Sequence, residues 1–183
     1  LRELGQLETA IKSYEKAIAI KPDFAEVHNN LGNVLKDLDQ LDEAVKCYQK
    51  VLAIKPDYAN AHNNLGFTLQ ELGQLDAAVK SYEKALAIKP DFADAFNNLG
   101  FTLQELGQHD KAIKCYEKAL AIKPDYAEAL NNLGIAYQQQ GQINSAINQY
   151  EKALAINPDY SIAYYNLSFL KKYTANDPQI TKM

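Results

Sequence analysis

Residues 59–92 read ANAHNNLGFTLQELGQLDAAVKSYEKALAIKPDF, and close variants of this 34-residue phrase lie on both sides of it. Pro22, Pro56, Pro90, Pro124 and Pro158 stand 34 residues apart without exception. A fixed period of this length marks a repeat architecture in which each repeat is one supersecondary unit. Registered on the prolines, the full units are 25–58, 59–92, 93–126 and 127–160. Residues 1–24 read as the end of one first helix followed by a second helix, 161–173 as a further first helix, and 174–183 as a tail or linker.

Within a unit, numbered from its opening alanine, apolar or small residues fall at positions 3, 7, 10 and 14. In the quoted unit these are Ala61, Leu65, Thr68 and Leu72. They fall again at positions 17, 20, 21, 24, 27 and 28, as Leu75, Ala78, Val79, Tyr82, Ala85 and Leu86. Steps of three and four are the amphipathic helix period, so each unit predicts two helices. Gly73 separates them, as Gly5, Gly107 and Gly141 do elsewhere, and glycine suits the left-handed residue that closes a helix. Asp39 holds that place once, and Asp tolerates the conformation better than most residues.

The second helix stops ahead of the proline, which cannot continue it. An aspartate follows, with an acid three residues later (Asp23 with Glu26, Asp91 with Asp94, Asp125 with Glu128), and this spacing predicts a capping box for the next helix. Small residues at position 8 (Gly32, Gly66, Gly100 and Gly134) are expected to face alanines at position 20 (Ala44, Ala78, Ala112 and Ala146), so that the hairpin closes tightly. One hairpin cannot bury its apolar face alone. Neighbours must stack, giving an all-α solenoid.

The strings Asn-Asn-Leu-Gly, Gly-Gln-Leu-Asp-x-Ala and Tyr-x-Lys-Ala-Leu-Ala-Ile-x-Pro resemble the tetratricopeptide repeat, over essentially residues 1–173. The resemblance implies a right-handed solenoid of antiparallel helical hairpins whose concave groove is lined by the first helices. Position 4, often a large aromatic in that family, is here His28, His62, Phe96 and Leu130, which predicts looser packing between hairpins.

The helical wheel places positions 2, 5, 6, 9, 12 and 13 opposite the packed face. Position 5 carries Asn29, Asn63, Asn97, Asn131 and Tyr165, and position 6 carries Asn30, Asn64, Asn98, Asn132 and Asn166. Position 9 is Asn33, Phe67, Phe101, Ile135 and Phe169, and position 12 is Lys36, Gln70, Gln104, Gln138 and Lys172. An asparagine amide offers both a donor and an acceptor. A ladder of them predicts a surface that holds the backbone of an extended peptide, with apolar contact from position 9. Similar ladders hold peptide backbone in the O-GlcNAc transferase family. The competing reading is that units 59–92 and 93–126 are near copies and the amides are simply inherited.

Groove positions 5 and 6 carry no Lys or Arg, which excludes the cationic clamp by which related repeats grip a chaperone carboxylate. Acids at position 13 (Glu3, Asp37, Glu71 and Glu105) favour a neutral-to-basic partner. Lysines gather on the second helices, where Glu8, Asp42, Asp76 and Asp110 each precede a position-22 lysine by four residues and predict helix-surface pairs. A net charge of −4 and the scarcity of basic groove residues argue against nucleic acid.

No stretch is apolar enough to span a membrane. Cys47 and Cys115 share position 23 two units apart, too far for a disulfide. His28 and His62 lie on adjacent hairpins, too far apart to share a zinc, and His109 replaces a packing leucine. No cofactor, metal site or enzymatic constellation emerges, and a reducing, cytoplasmic setting is expected by default. Apolar solenoid ends predict either a longer array or homo-association. The tail from Asn166 to Met183 is similar to the segment that joins repeats to a sulfotransferase-like domain in some bacterial proteins, which would make the chain a substrate-recruiting arm.

Overall fold

The computed structural model describes residues 2–176, with side chains placed over 7–171. Every described element is an α-helix: α1 (Arg2–Ile20), α2 (Ala25–Asp37), α3 (Leu41–Ile54), α4 (Ala59–Glu71), α5 (Leu75–Ile88), α6 (Ala93–Glu105), α7 (His109–Ile122), α8 (Ala127–Gln139), α9 (Ile143–Ile156) and α10 (Ser161–Asn176). The chain forms two compact units, residues 1–95 and 96–183, with the division inside α6. In the first unit α2 packs on α1 and α3, and α4 on α3 and α5. In the second, α8 packs on α7 and α9, and α10 on α9. These are the antiparallel hairpins and stacked neighbours that the 34-residue period predicts.

The turns inside the hairpins follow the glycines. Gly73, Gly107 and Gly141 have φ of 72°, 72° and 74°, and Asp39 takes φ 60° in their place. Around Gly73 the amide of Gln74 bonds the Leu69 carbonyl at 2.8 Å, and that of Gly73 bonds Gln70 at 2.8 Å. This crossed pair satisfies carbonyls that the end of α4 leaves open.

Gly5 departs from the expectation, because α1 runs through it without a turn. Carrying a helix across one glycine costs about 1 kcal/mol.

The capping box is also corrected. Phe24, Tyr58 and Tyr126 occupy the N-cap positions of α2, α4 and α8, and none of these caps has a side-chain hydrogen bond. Asp23 and Asp125 stand one residue ahead of these N-caps. Instead the Phe24 carbonyl accepts from Val27 and His28 at 3.1 and 3.2 Å. Glu26 lies 3.7 Å from Lys55.

Tyr48, Tyr82, Tyr116 and Tyr150 are fully buried and anchor the hairpin cores. Their rings explain the glycines at position 8. A Cβ on Gly32, Gly66, Gly100 or Gly134 would come within 2.7, 2.8, 2.7 or 2.5 Å of ring atom Cε1 of the matching tyrosine. The close partner of each glycine is therefore this ring, where Ala at position 20 was expected.

Position 4 does two things. The Nε2–H of His28 donates to the Pro22 carbonyl at 2.8 Å, and that of His62 to Pro56 at 2.9 Å. Hollows of about 460, 450 and 420 Å³ lie beside His28, His62 and Leu130.

The helix pairs expected between lysines and the acids four residues before them do not form. The ion pairs seen among the described residues include Lys36–Asp37, Lys55–Glu26 and Lys171–Glu151. A hydrated surface pair gains only ~0.3–0.5 kcal/mol, too little to fix two long side chains. The tail residues 177–183 lie outside the described residues.

Candidate peptide-binding surface

The asparagines of positions 5 and 6 do not play equal parts. Asn29, Asn97 and Asn131 are buried, Asn97 to 1% exposure and Asn131 to 2%. Each accepts an amide from the position-6 asparagine of the next hairpin. Asn64 Nδ2 lies 3.4 Å from Asn29 Oδ1, Asn132 Nδ2 3.1 Å from Asn97 Oδ1, and Asn166 Nδ2 3.2 Å from Asn131 Oδ1. The ladder is thus first of all a clamp between hairpins, in a setting where an unpaired amide would cost about 1–3 kcal/mol.

The other ends of these amides are also engaged. Asn97 Nδ2 donates to Glu128 Oε1 at 3.1 Å, so the acid expected to cap α8 holds a position-5 amide instead. Asn131 Nδ2 approaches Asn132 Oδ1 at 3.5 Å. Asn63 and Asn98 are half-buried, and Asn30 is exposed. The hydroxyls of Thr68 and Thr102 donate to the carbonyls of Asn64 and Asn98 at 2.9 and 3.0 Å, which fixes these two residues underneath the amide row.

The glutamines of position 12 are tied to the core. Tyr82, Tyr116 and Tyr150 donate their hydroxyls to Gln70, Gln104 and Gln138 at 3.3, 3.0 and 2.9 Å. Lys36 has no acceptor to offer. Tyr48 turns to Asn33 at position 9 instead, at 2.8 Å, and Asn33 also accepts from Asn64 at 3.1 Å. Lys36 then lies over the Phe67 ring, 5.2 Å from its centre.

Exposed large apolar side chains lie on the first helices and also at the ends of the second helices, where Ile88, Ile122 and Ile156 are 39%, 39% and 43% exposed. Phe101 is 40% exposed, Phe169 45% and Tyr165 69%, while Phe67 and Ile135 are half-buried. Within residues 96–170, Gln104 and Gln138, each bonded through Oε1, and Asn166, bonded through Nδ2, share the first helices with the exposed rings of Phe101 and Phe169. The sequence identified these rows and missed their division of labour. Only the recurrence of Tyr at position 24 with Gln at position 12 could have signalled the hydroxyl bond.

Burial raises the pKa of the Tyr48, Tyr116 and Tyr150 hydroxyls, and Tyr150 is pushed up to about 12. The Cys47 thiol is raised by burial and by Glu43. His109 Nδ1 is buried with no partner among the described residues. Among those residues no cluster of His, Cys, Asp and Glu could hold a metal ion, and no helix is long and apolar enough to cross a membrane.

Stacked helical hairpins with a polar and aromatic face define an all-α repeat protein of the protein-interaction class. The chain belongs to the tetratricopeptide repeat family, whose profile matches residues 23–91 and again 91–159. A second profile, described as TPR repeat, matches residues 1–39. Among solved structures it is similar to MamA, at 29% identity over 87% of this chain and 94% of that one, with a TM-score of 0.78. YrrB, described as a TPR protein with an unusual peptide-binding site, shares the fold at 24% identity, over 94% and 89% of the two chains, with a TM-score of 0.74. A thermophilic TPR protein of Thermus thermophilus does so at 23% identity, over 94% of each chain, with a TM-score of 0.75. No curated protein matches the sequence. The likeness of the tail to sulfotransferase-linked repeats gains no support from these matches.

Proposed function

We propose that this chain is a non-catalytic interaction module that holds an extended peptide segment along its first helices, through amides of positions 6 and 12 and apolar side chains of position 9. The observation that carries the reading is the exposure of Phe101 and Phe169 on helices that also carry the half-buried Asn98 and Asn166. An exposed ring beside amides with one edge already bonded gives a ligand both apolar contact and an aligned polar partner. Asn29, Asn97 and Asn131 of position 5 serve the hairpin clamp, and this reading leaves them out of the contact surface.

The test is selection of binders from a displayed library of linear peptides, followed by titration of a recovered peptide. Phe101→Ala with Phe169→Ala should weaken binding by about tenfold or more, with the helical circular dichroism unchanged. Equal affinity for both proteins would remove the first helices from the reading.

Self-association is a second reading, carried by Ile162 and Tyr164, which are 54% and 65% exposed on α10. Ile162→Ser with Tyr164→Ser should then abolish any rise of sedimentation coefficient with concentration. A coefficient flat in the unaltered protein rejects it.

A further inference from the structure

We propose that the segment held along α6, α8 and α10 is a proline-rich, neutral-to-basic stretch in the polyproline II conformation. This rests on the peptide-binding reading above and specifies its ligand.

Register supplies the first argument. The Asn132–Asn97 and Asn166–Asn131 bonds, 3.1 and 3.2 Å long, tie three successive first helices side by side, at the ~8–10 Å of packed helix axes. Phe101, Ile135 and Phe169 occupy the same position on each helix. The spacing of these three apolar steps therefore follows that of the helix axes, about 8–10 Å. A β-strand returns a side chain to one face every second residue, about 6.7 Å on, and turns its third residue to the other face. Polyproline II has three residues per turn and a rise of ~3.1 Å, so the same face recurs about every 9.3 Å. Each third residue of such a segment meets the next step.

Hydrogen bonding supplies the second. Gln104 and Gln138 accept the hydroxyls of Tyr116 and Tyr150 on Oε1, which leaves Nε2 as the end that donates. The Nδ2 groups of Asn132 and Asn166 are used within the clamp. Donors at position 12 call for backbone carbonyls that have no internal partner. A polyproline II chain carries such carbonyls at every residue and, at each proline, no competing N–H. An α-helical ligand of seven-residue repeat would match the steps, at about 10.5 Å, but its carbonyls are bonded within the helix.

Charge supplies the third. The acidic residues of α6 and α8 are Asp94, Glu105 and Glu128, without Lys or Arg, while α10 carries Lys171, paired with Glu151 at 2.8 Å, and Lys172. Basic residues flanking the prolines therefore meet a complementary field, and acidic ones do not.

Three labelled synthetic peptides test this on the full chain by fluorescence anisotropy. All carry Arg at both ends: one repeats Pro-Pro-Leu, one alternates Leu with Thr, and one is an amphipathic Leu/Ala helix. The Pro-Pro-Leu peptide should bind about tenfold tighter than the other two and lose that advantage in Phe101→Ala with Phe169→Ala. Glu in place of its flanking Arg should weaken it, more so at low salt. Equal or tighter binding of the alternating or helical peptide would overturn the polyproline II assignment and leave the peptide-binding reading in place. Undiminished binding of the Glu-flanked peptide would overturn its charge component. Failure of all three to bind, with no binder recovered from the displayed library, would overturn both.

Discussion

Asn132 donates its amide to the side-chain oxygen of Asn97, 35 residues earlier, at 3.1 Å, and Asn97 is 1% exposed. Asn132→Ala removes the donor and leaves a buried oxygen with no compensating partner, a change worth about 1–3 kcal/mol. Asn30, the equivalent residue of unit 25–58, is exposed, and Asn30→Ala should stay within about 0.5 kcal/mol of the parent. Urea denaturation of the two variants gives the comparison. Equal losses would mean that the Asn97 contact adds nothing to hairpin stacking.

Gly134 stands closest of the position-8 glycines to its tyrosine, with a Cβ position 2.5 Å from Tyr150 Cε1. Helix propensity alone favours Gly134→Ala by about 1 kcal/mol. Contact with a fully buried ring opposes it, and forcing an extra methyl into a packed core costs about 1–3 kcal/mol. The variant is expected to unfold at lower denaturant than the parent. A rise in stability would show that the ring moves aside freely.

The hairpins were legible because their cause is local. A proline every 34 residues, a glycine at each turn and steps of three and four fix helix identity before any tertiary contact is known. What the sequence hid depends on how one hairpin leans on the next. The wheel sets Asn97 and Phe101 on one arc, yet burial separates them, because the reach of Asn132 across the hairpin boundary is no property of either helix alone. The same holds for Asp23 and Asp125, which stand one residue ahead of the N-caps they were expected to fill.

Burial raises the hydroxyl of Tyr150 from 10.0 to about 12. Tyr48 and Tyr116 move in the same direction, by burial first and then by the charges of Asp37 and of Cys115 respectively. The folded state therefore holds these protons more tightly than the unfolded chain. The stability they confer is fully present below about pH 10 and is lost as pH rises through the folded values. Thermal melts between neutral pH and pH 11 should show a fall in melting temperature that begins near pH 10. Tyr150→Phe should flatten part of that fall, and an unchanged pH profile in this variant would remove Tyr150 from the explanation.

Tyr48 donates to Asn33 because its hairpin has Lys36 where the others have glutamine. The two departures from the repeat thus answer each other. Asn33→Phe installs the aromatic found at the same place in Phe67 and Phe101, but it removes the Asn33 acceptor and leaves the Tyr48 hydroxyl with Thr68 alone, at a cost of about 1 kcal/mol. Lys36→Gln alone leaves the Asn33 bond intact and should change stability by less than about 0.5 kcal/mol. Together they restore the arrangement of Tyr116 with Gln104. The double variant should therefore recover about 0.5–1.5 kcal/mol relative to the sum of the single changes, the net worth of one such hydrogen bond. Strict additivity in a double-mutant cycle would show that the hydroxyl finds another partner, and that the pairing of Asn33 with Lys36 is incidental.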